Sequence, residues 1–162
     1  MGRVPAALAA ALLAACALAA QAATFRWSSQ GDFLTADPHA QNEGINNLIG
    51  YHVYERLVAR DRQLAIVPSL ATRWEQVNPT TWRFHLRKGV RFHDGTPFTA
   101  DDVVFSVGRA QPPSSNFKTF ASLIGKVRRV DDFTVEIVTP GPSPILLEYV
   151  NAVMIMSRAW AL

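Results

Sequence analysis

The 162-residue chain is 49% hydrophobic, carries 16 Lys/Arg against 13 Asp/Glu for a formal charge of +3, and has a single cysteine. That balance excludes a disordered chain, a collagen and a disulfide-stapled mini-protein, and it leaves enough apolar residues for a core. The basic residues are scattered in short groups (Arg56, Arg60 and Arg62; Arg87, Lys88 and Arg91; Lys126, Arg128 and Arg129), so nothing resembles a nucleic-acid-binding run.

Residues 1–22, MGRVPAALAAALLAACALAAQA, place one cation, Arg3, before an alanine- and leucine-rich stretch that ends in Ala20-Gln21-Ala22. This is the pattern of a secretory signal peptide cleaved after Ala22. Leu13-Ala14-Ala15-Cys16 also resembles a lipoprotein box, in which Cys16 would be lipidated and become the first mature residue. Both routes take the chain out of the cytoplasm. If Cys16 is removed, no thiol chemistry remains.

Alternation in Thr24-Phe25-Arg26-Trp27-Ser28 predicts a first strand, and the polar, turn-rich stretch from Gln30 to Gly44 predicts a loop. From Ile45 to Glu55 the spacing of Ile45, Leu48, Ile49 and Val53 predicts a helix with those residues buried. A short strand is expected over Leu57–Arg60. A hairpin follows, Leu70–Gln76 and Thr81–Arg87 around Asn78-Pro79-Thr80, with Trp82, Phe84 and Leu86 inward and Arg83, His85 and Arg87 in water. Asp94-Gly95 turns the chain toward a helix whose N-cap is Thr99, with Asp102 completing a capping box and Val103, Val104 and Val107 buried. Pro112-Pro113 ends that helix. A second hairpin runs from Val127 to Val138 with Val127, Val130, Val135 and Ile137 apolar. A loop at Pro140–Pro144, a short helix at Ile145–Val150 and a buried strand at Ala152–Met156 complete the reading.

Catalytic patterns are sparse. The four histidines have no zinc-ligand spacing, and no nucleophile elbow or phosphate-binding glycine loop occurs, so no metal and no cofactor is expected. Ser115-Asn116-Phe117-Lys118 has the S-x-x-K spacing of penicillin-recognising enzymes. It follows a Pro-Pro break rather than opening a helix, and the partner motifs are missing, so a serine enzyme using Ser115 and Lys118 is only the rival reading. Asp94, Asp101 and Asp102 have turn and cap duties that account for them.

The segment from Pro68 to Val107 is more specific. Pro68-Ser69-Leu70-Ala71, Trp82-x-Phe84, Leu86-Arg87-Lys88-Gly89-Val90, Phe92-His93-Asp94-Gly95 and Thr99-Ala100-Asp101-Asp102-Val103 resemble, in order, the family 5 extracellular solute-binding proteins of bacterial ABC importers. Asp37-Pro38-His39 and Tyr54-Glu55-Arg56-Leu57 upstream, and Val130-Asp131-Asp132-x-Thr134-Val135 downstream, continue the likeness. The resemblance implies a mixed α/β fold of the two-lobe, class II periplasmic type. Residues 23–162 would then be part of the N-terminal lobe, the second lobe being absent, in a truncated, fragmentary or split form. It further implies a non-enzymatic protein that holds a small solute, a di- or oligopeptide first, and delivers it to an inner-membrane permease. Its solute contacts would come from Gln41, Asn42 and Glu43 after the first strand and from Phe117, with the Glu43 carboxylate pairing with a peptide amino group. A remnant without binding activity is the other reading.

Overall fold

The computed structural model describes residue 24 and residues 26–162. The signal peptide expected at residues 1–22, with Cys16, therefore lies outside the described residues. The chain divides into two units, Met1–Gln30 and Gly31–Leu162. In the first, residues 26–29 are exposed and belong to no strand, so the strand expected at Thr24–Ser28 does not form there. Alternation supplies a pattern for pairing but not the neighbour to pair with.

The second unit is built around a four-stranded antiparallel sheet. Its elements are α1 (Gly44–Val53), β1 (Val58–Arg60), β2 (Ile66–Pro68), β3 (Ala71–Asn78), β4 (Thr81–Leu86), α2 (Ala100–Ala110), α3 (Lys118–Ile124), β5 (Lys126–Asp131), β6 (Thr134–Val138), α4 (Leu146–Ala152) and α5 (Arg158–Ala161). Strand order is β3-β4-β6-β5, while β1 and β2 form a separate two-stranded ribbon. The central pair, β4 with β6, runs without a register shift, and both hairpins, β3-β4 and β5-β6, carry bulges.

One face of the sheet makes the core. Phe84, Val135 and Ile137 are fully covered beneath Val103 and Val107 of α2, with Phe98, Ile124 and Leu146 closing the sides. Trp74 stacks on Phe84 with ring centroids 6.3 Å apart. The expected apolar positions hold in β4 and β6 and at Val103 and Val107 of α2, but Val104 is only half-buried and Val130 on the edge strand is 50% exposed.

The opposite face is charged, and it is not simply wet. Glu75, Arg83, Glu136 and Arg128 form one row across all four strands, since their positions are paired in register. Arg83 donates to Glu136 Oε1 through Nε (3.0 Å) and Nη2 (2.6 Å), and Arg128 donates to Oε2 of the same carboxylate. The Glu136 side chain is thereby covered, and the Arg83 guanidinium beside it holds its carboxyl below the usual range. Arg83, expected in water, is committed to that carboxylate.

The helix α2 begins as its sequence predicts. Asp102 accepts the Thr99 backbone N–H at 2.9 Å and the Thr99 hydroxyl at 3.3 Å, and its other oxygen accepts the Arg158 N–H at 2.9 Å. One carboxylate thus satisfies a helix N-terminus and the start of α5 together.

Helix α1 departs from expectation. Leu48 and Val53 are 49% and 47% exposed, and the buried residues are Asn46 and Gly50. The missing side chain of Gly50 is what admits Met154, because a Cβ there would stand 2.8 Å from the Met154 Cε. Hydrophobic spacing does not register that kind of contact. The segment 153–156 is buried, as expected, but it is not a strand: among the described residues its only ladder contact is the isolated bridge between Arg56 and Met154.

Candidate functional site

The loop before α1 is held from several sides. Thr35 Oγ1 accepts the Asp37 N–H and Asp37 Oδ1 accepts the His39 N–H, both at 3.0 Å, a local side-chain turn that suits Asp before Pro. From α1, Asn46 Oδ1 accepts the Leu34 N–H at 3.3 Å and its Nδ2 donates to the Thr35 carbonyl at 3.0 Å. The Tyr54 hydroxyl donates to the Ala36 carbonyl at 2.9 Å.

Beneath the loop, His39 is 2% exposed. Its Nε2 lies 2.9 Å from the Met154 carbonyl and its Nδ1 lies 3.2 Å from Nη1 of Arg109. Arg109, in the last turn of α2, also grips both oxygens of Asp37, at 2.8 and 2.5 Å. Burial, the largest influence on His39, pushes its pKa below the ordinary value, while the Arg109 bonds hold the Asp37 carboxyl low. The His39 ring meets Phe117 edge-on at 6.0 Å.

The three loop residues expected to meet solute sit together above this base. Gln41 is half-buried and lines a small cavity with Phe33, Asn47, Tyr54 and Met154. Asn42 is exposed, its Oδ1 accepting the Asn47 Nδ2 at 2.8 Å. Glu43 is exposed at the N-cap of α1, its carbonyl accepting the Asn47 N–H at 2.9 Å, and among the described residues its carboxylate has no cationic partner. Phe117 is not part of that surface. It is 2% exposed at the N-terminus of α3, packed between His39 and Phe120.

Ser115 and Lys118 are occupied elsewhere. The Ser115 hydroxyl accepts the Phe117 N–H at 3.1 Å and donates to the His39 carbonyl, while Lys118 Nζ donates to the Pro113 carbonyl at 3.2 Å. The serine therefore supports the loop. Among the described residues, no three His, Cys, Asp or Glu side chains gather as a metal site, and no helix is long and apolar enough to cross a membrane.

Sequence reasoning missed Arg109, Asn46 and Tyr54. A cation in the last turn of a helix has a local use that masks any other, and Arg109's partner Asp37 lies 72 positions away.

Residues 65–160 match the family model described as "Bacterial extracellular solute-binding proteins, family 5 Middle". The chain belongs to that family. Among curated proteins it resembles the glutathione-binding protein GsiB of Escherichia coli K12, with 30% identity over 144 residues that cover 87% of this chain and 28% of GsiB. Among solved structures it resembles MoaA of Agrobacterium tumefaciens R10 in complex with mannopinic acid (32% identity, TM-score 0.73, 80% of this chain and 28% of that one). It also resembles the Escherichia coli murein tripeptide binding protein MppA (28% identity, TM-score 0.72, 77% and 29%). The chain thus spans under a third of the length of these relatives. The mixed α/β class expected from the sequence agrees with these neighbours, which are two-lobe periplasmic solute-binding proteins that this chain covers in part.

Proposed function

We propose that this chain is the N-terminal-lobe portion of the exported solute-binding component of an ABC importer, with residues 1–22 as its signal peptide and residues 23–162 as partial lobe. The observation that carries this reading is the family match across residues 65–160. The solute is a di- or oligopeptide or a close amino-acid derivative, in keeping with two relatives named for peptides, glutathione and a murein tripeptide. The protein works in the periplasm and passes its solute to an inner-membrane permease. It makes and breaks no bonds in the solute, and Ser115 and Lys118, each bonded elsewhere, fit that role.

Gln41, Asn42 and Glu43 are the contacts. Glu43 has an exposed carboxylate with no cationic partner among the described residues, suited to an α-ammonium group, while Gln41 and Asn42 supply amide donors and acceptors for a peptide backbone. Binding by this portion alone is weak, because closure between two lobes, which excludes water and strengthens such pairs, needs the other lobe.

The test is an NMR titration of the exported chain with trialanine, glutathione and N-acetyl-trialanine. Trialanine at millimolar concentration is expected to shift the amides of residues 41–47. Acetylation of its amino group, or Glu43→Gln, should remove most of that shift. If no peptide moves these amides, the solute-contact assignment is wrong.

A further inference from the structure

The Asp37-Pro38-His39 turn is joined to α2 through the Arg109 guanidinium and to the segment 153–156 through the His39 ring. Nη1 of Arg109 donates to Asp37 Oδ1 and to His39 Nδ1, and Nη2 donates to Asp37 Oδ2. A nitrogen that accepts from arginine holds a lone pair, so the His39 ring proton sits on Nε2. There it faces the Met154 carbonyl, which can only accept. Both contacts specify the same neutral tautomer. We propose that Arg109 is a positioning residue for the Gln41–Glu43 solute contacts: through Asp37 and His39 it docks their loop onto α2 and onto the segment 153–156. This rests on the assignment of residues 41–43 to solute.

The geometry calls for arginine in particular. Three acceptor atoms in two side chains are met by one planar fork, which the point charge of a lysine does not reproduce. The other supports hold only backbone groups: Asn46 at Leu34 and Thr35, Tyr54 at Ala36, Asn116 at the carbonyls of His39 and Ala40. None of them joins the loop to α2.

The clamp also has a proton switch. The charged groups acting on His39 are Arg109 from α2 and Asp37 from its own turn, and the Tyr54 phenol at the end of α1 acts on both of these; Met154, Ser115 and Phe117 contribute a carbonyl, a hydroxyl and a ring. A proton arriving at Nδ1 would point an N–H at the Arg109 fork, so ring protonation and the Arg109 contact exclude each other. Acid therefore releases the His39 arm of the clamp, while the Arg109–Asp37 pair persists until the carboxylate itself is protonated.

Amide hydrogen exchange and imidazole ¹⁵N spectra of the complete chain test this. In Arg109→Gln, the amides of Leu34, His39 and Asn116 should exchange at least tenfold faster while those of Phe84 and Ile137 keep their rates. The His39 ring should change from one Nε2–H tautomer to a mixture, and trialanine affinity should fall at least fivefold. Arg109→Lys should restore none of these. Rescue by lysine, or unchanged loop exchange in Arg109→Gln, would overturn the proposal. Should Arg109→Gln not fold, the parent chain still decides: a mixed His39 tautomer at neutral pH contradicts the clamp. Loop amides that ignore trialanine in the parent chain, with exchange behaving as stated, would remove the solute reading and leave the clamp standing.

Discussion

Gly125 separates α3 from β5, and replacing it with alanine should be among the most damaging single-methyl changes in the chain. Its backbone sits at φ 80°, ψ −143°, a region that residues with a side chain avoid at a cost of about 1–3 kcal/mol. A Cβ there would also press into the Val138 carbonyl oxygen and stand 3.1 Å from both Thr139 Cα and Pro140 Cδ. Relief requires moving the end of β6, where Val138 pairs with both Lys126 and Thr81, and an intramolecular hydrogen bond lost there costs about 1 kcal/mol. The Gly125 carbonyl would shift too, and it accepts from Gln111 Nε2 at 2.6 Å. Together these give about 3–5 kcal/mol, against the roughly 5–15 kcal/mol typical of a whole domain. Gly89→Ala isolates the contact: Gly89 also has positive φ (74°), but nothing lies within 4 Å of its Cβ position, so only the left-handed penalty of about 1–2 kcal/mol applies. Urea denaturation followed by tryptophan fluorescence measures both. A Gly125→Ala loss no greater than that of Gly89→Ala would refute the steric argument.

Stability should also fall on mild acidification. The folded pKa of His39 lies below its ordinary 6.5, so the unfolded chain takes the proton first; its contribution is complete above about pH 6.5 and is lost as pH drops toward the folded value. Asp37 and Glu136 are depressed from 3.8 and 4.5, so their losses begin below those values. Urea midpoints between pH 6.5 and 4.5 should thus decline in the parent and much less in His39→Gln; equal slopes would refute the assignment. Asp102→Ala removes the acceptor of two backbone N–H groups and should cost about 2 kcal/mol in the same urea assay, with Asp102→Asn recovering part of it. A loss below about 0.5 kcal/mol would mean that water replaces the carboxylate at both N–H groups.

The sheet and α2 were legible in the sequence because their information is local. Alternation in residues 81–86 sets which face is inward, and the Thr99–Asp102 spacing marks a helix start with its own hydrogen bonds. Two kinds of feature were not legible. Helix α1 turns a glycine and an asparagine inward, and both choices depend on what approaches from 153–156 and from residues 34–35, not on hydrophobicity. The loop residues Gln41–Glu43 came from likeness to a family, and the residues that hold their loop were silent because Arg109 meets Asp37 and His39 only after the chain has folded through β1–β4. A helix-end cation in a sequence carries no address.

The bulges have a consequence for association. All three lie in the hairpins that end the sheet, between Ala71 and Arg73, between Gln76 and Asn78, and between Arg129 and Asp131, while the inner β4–β6 ladder is regular. The outer strands β3 and β5 also expose Arg73, Glu75, Lys126, Arg128 and Arg129. An incoming strand would find a kinked rail studded with charge, unable to offer several evenly spaced hydrogen bonds in succession. Two chains meeting edge to edge therefore have no long template to extend, and the sheet can keep two open margins without becoming the seed of a fibre.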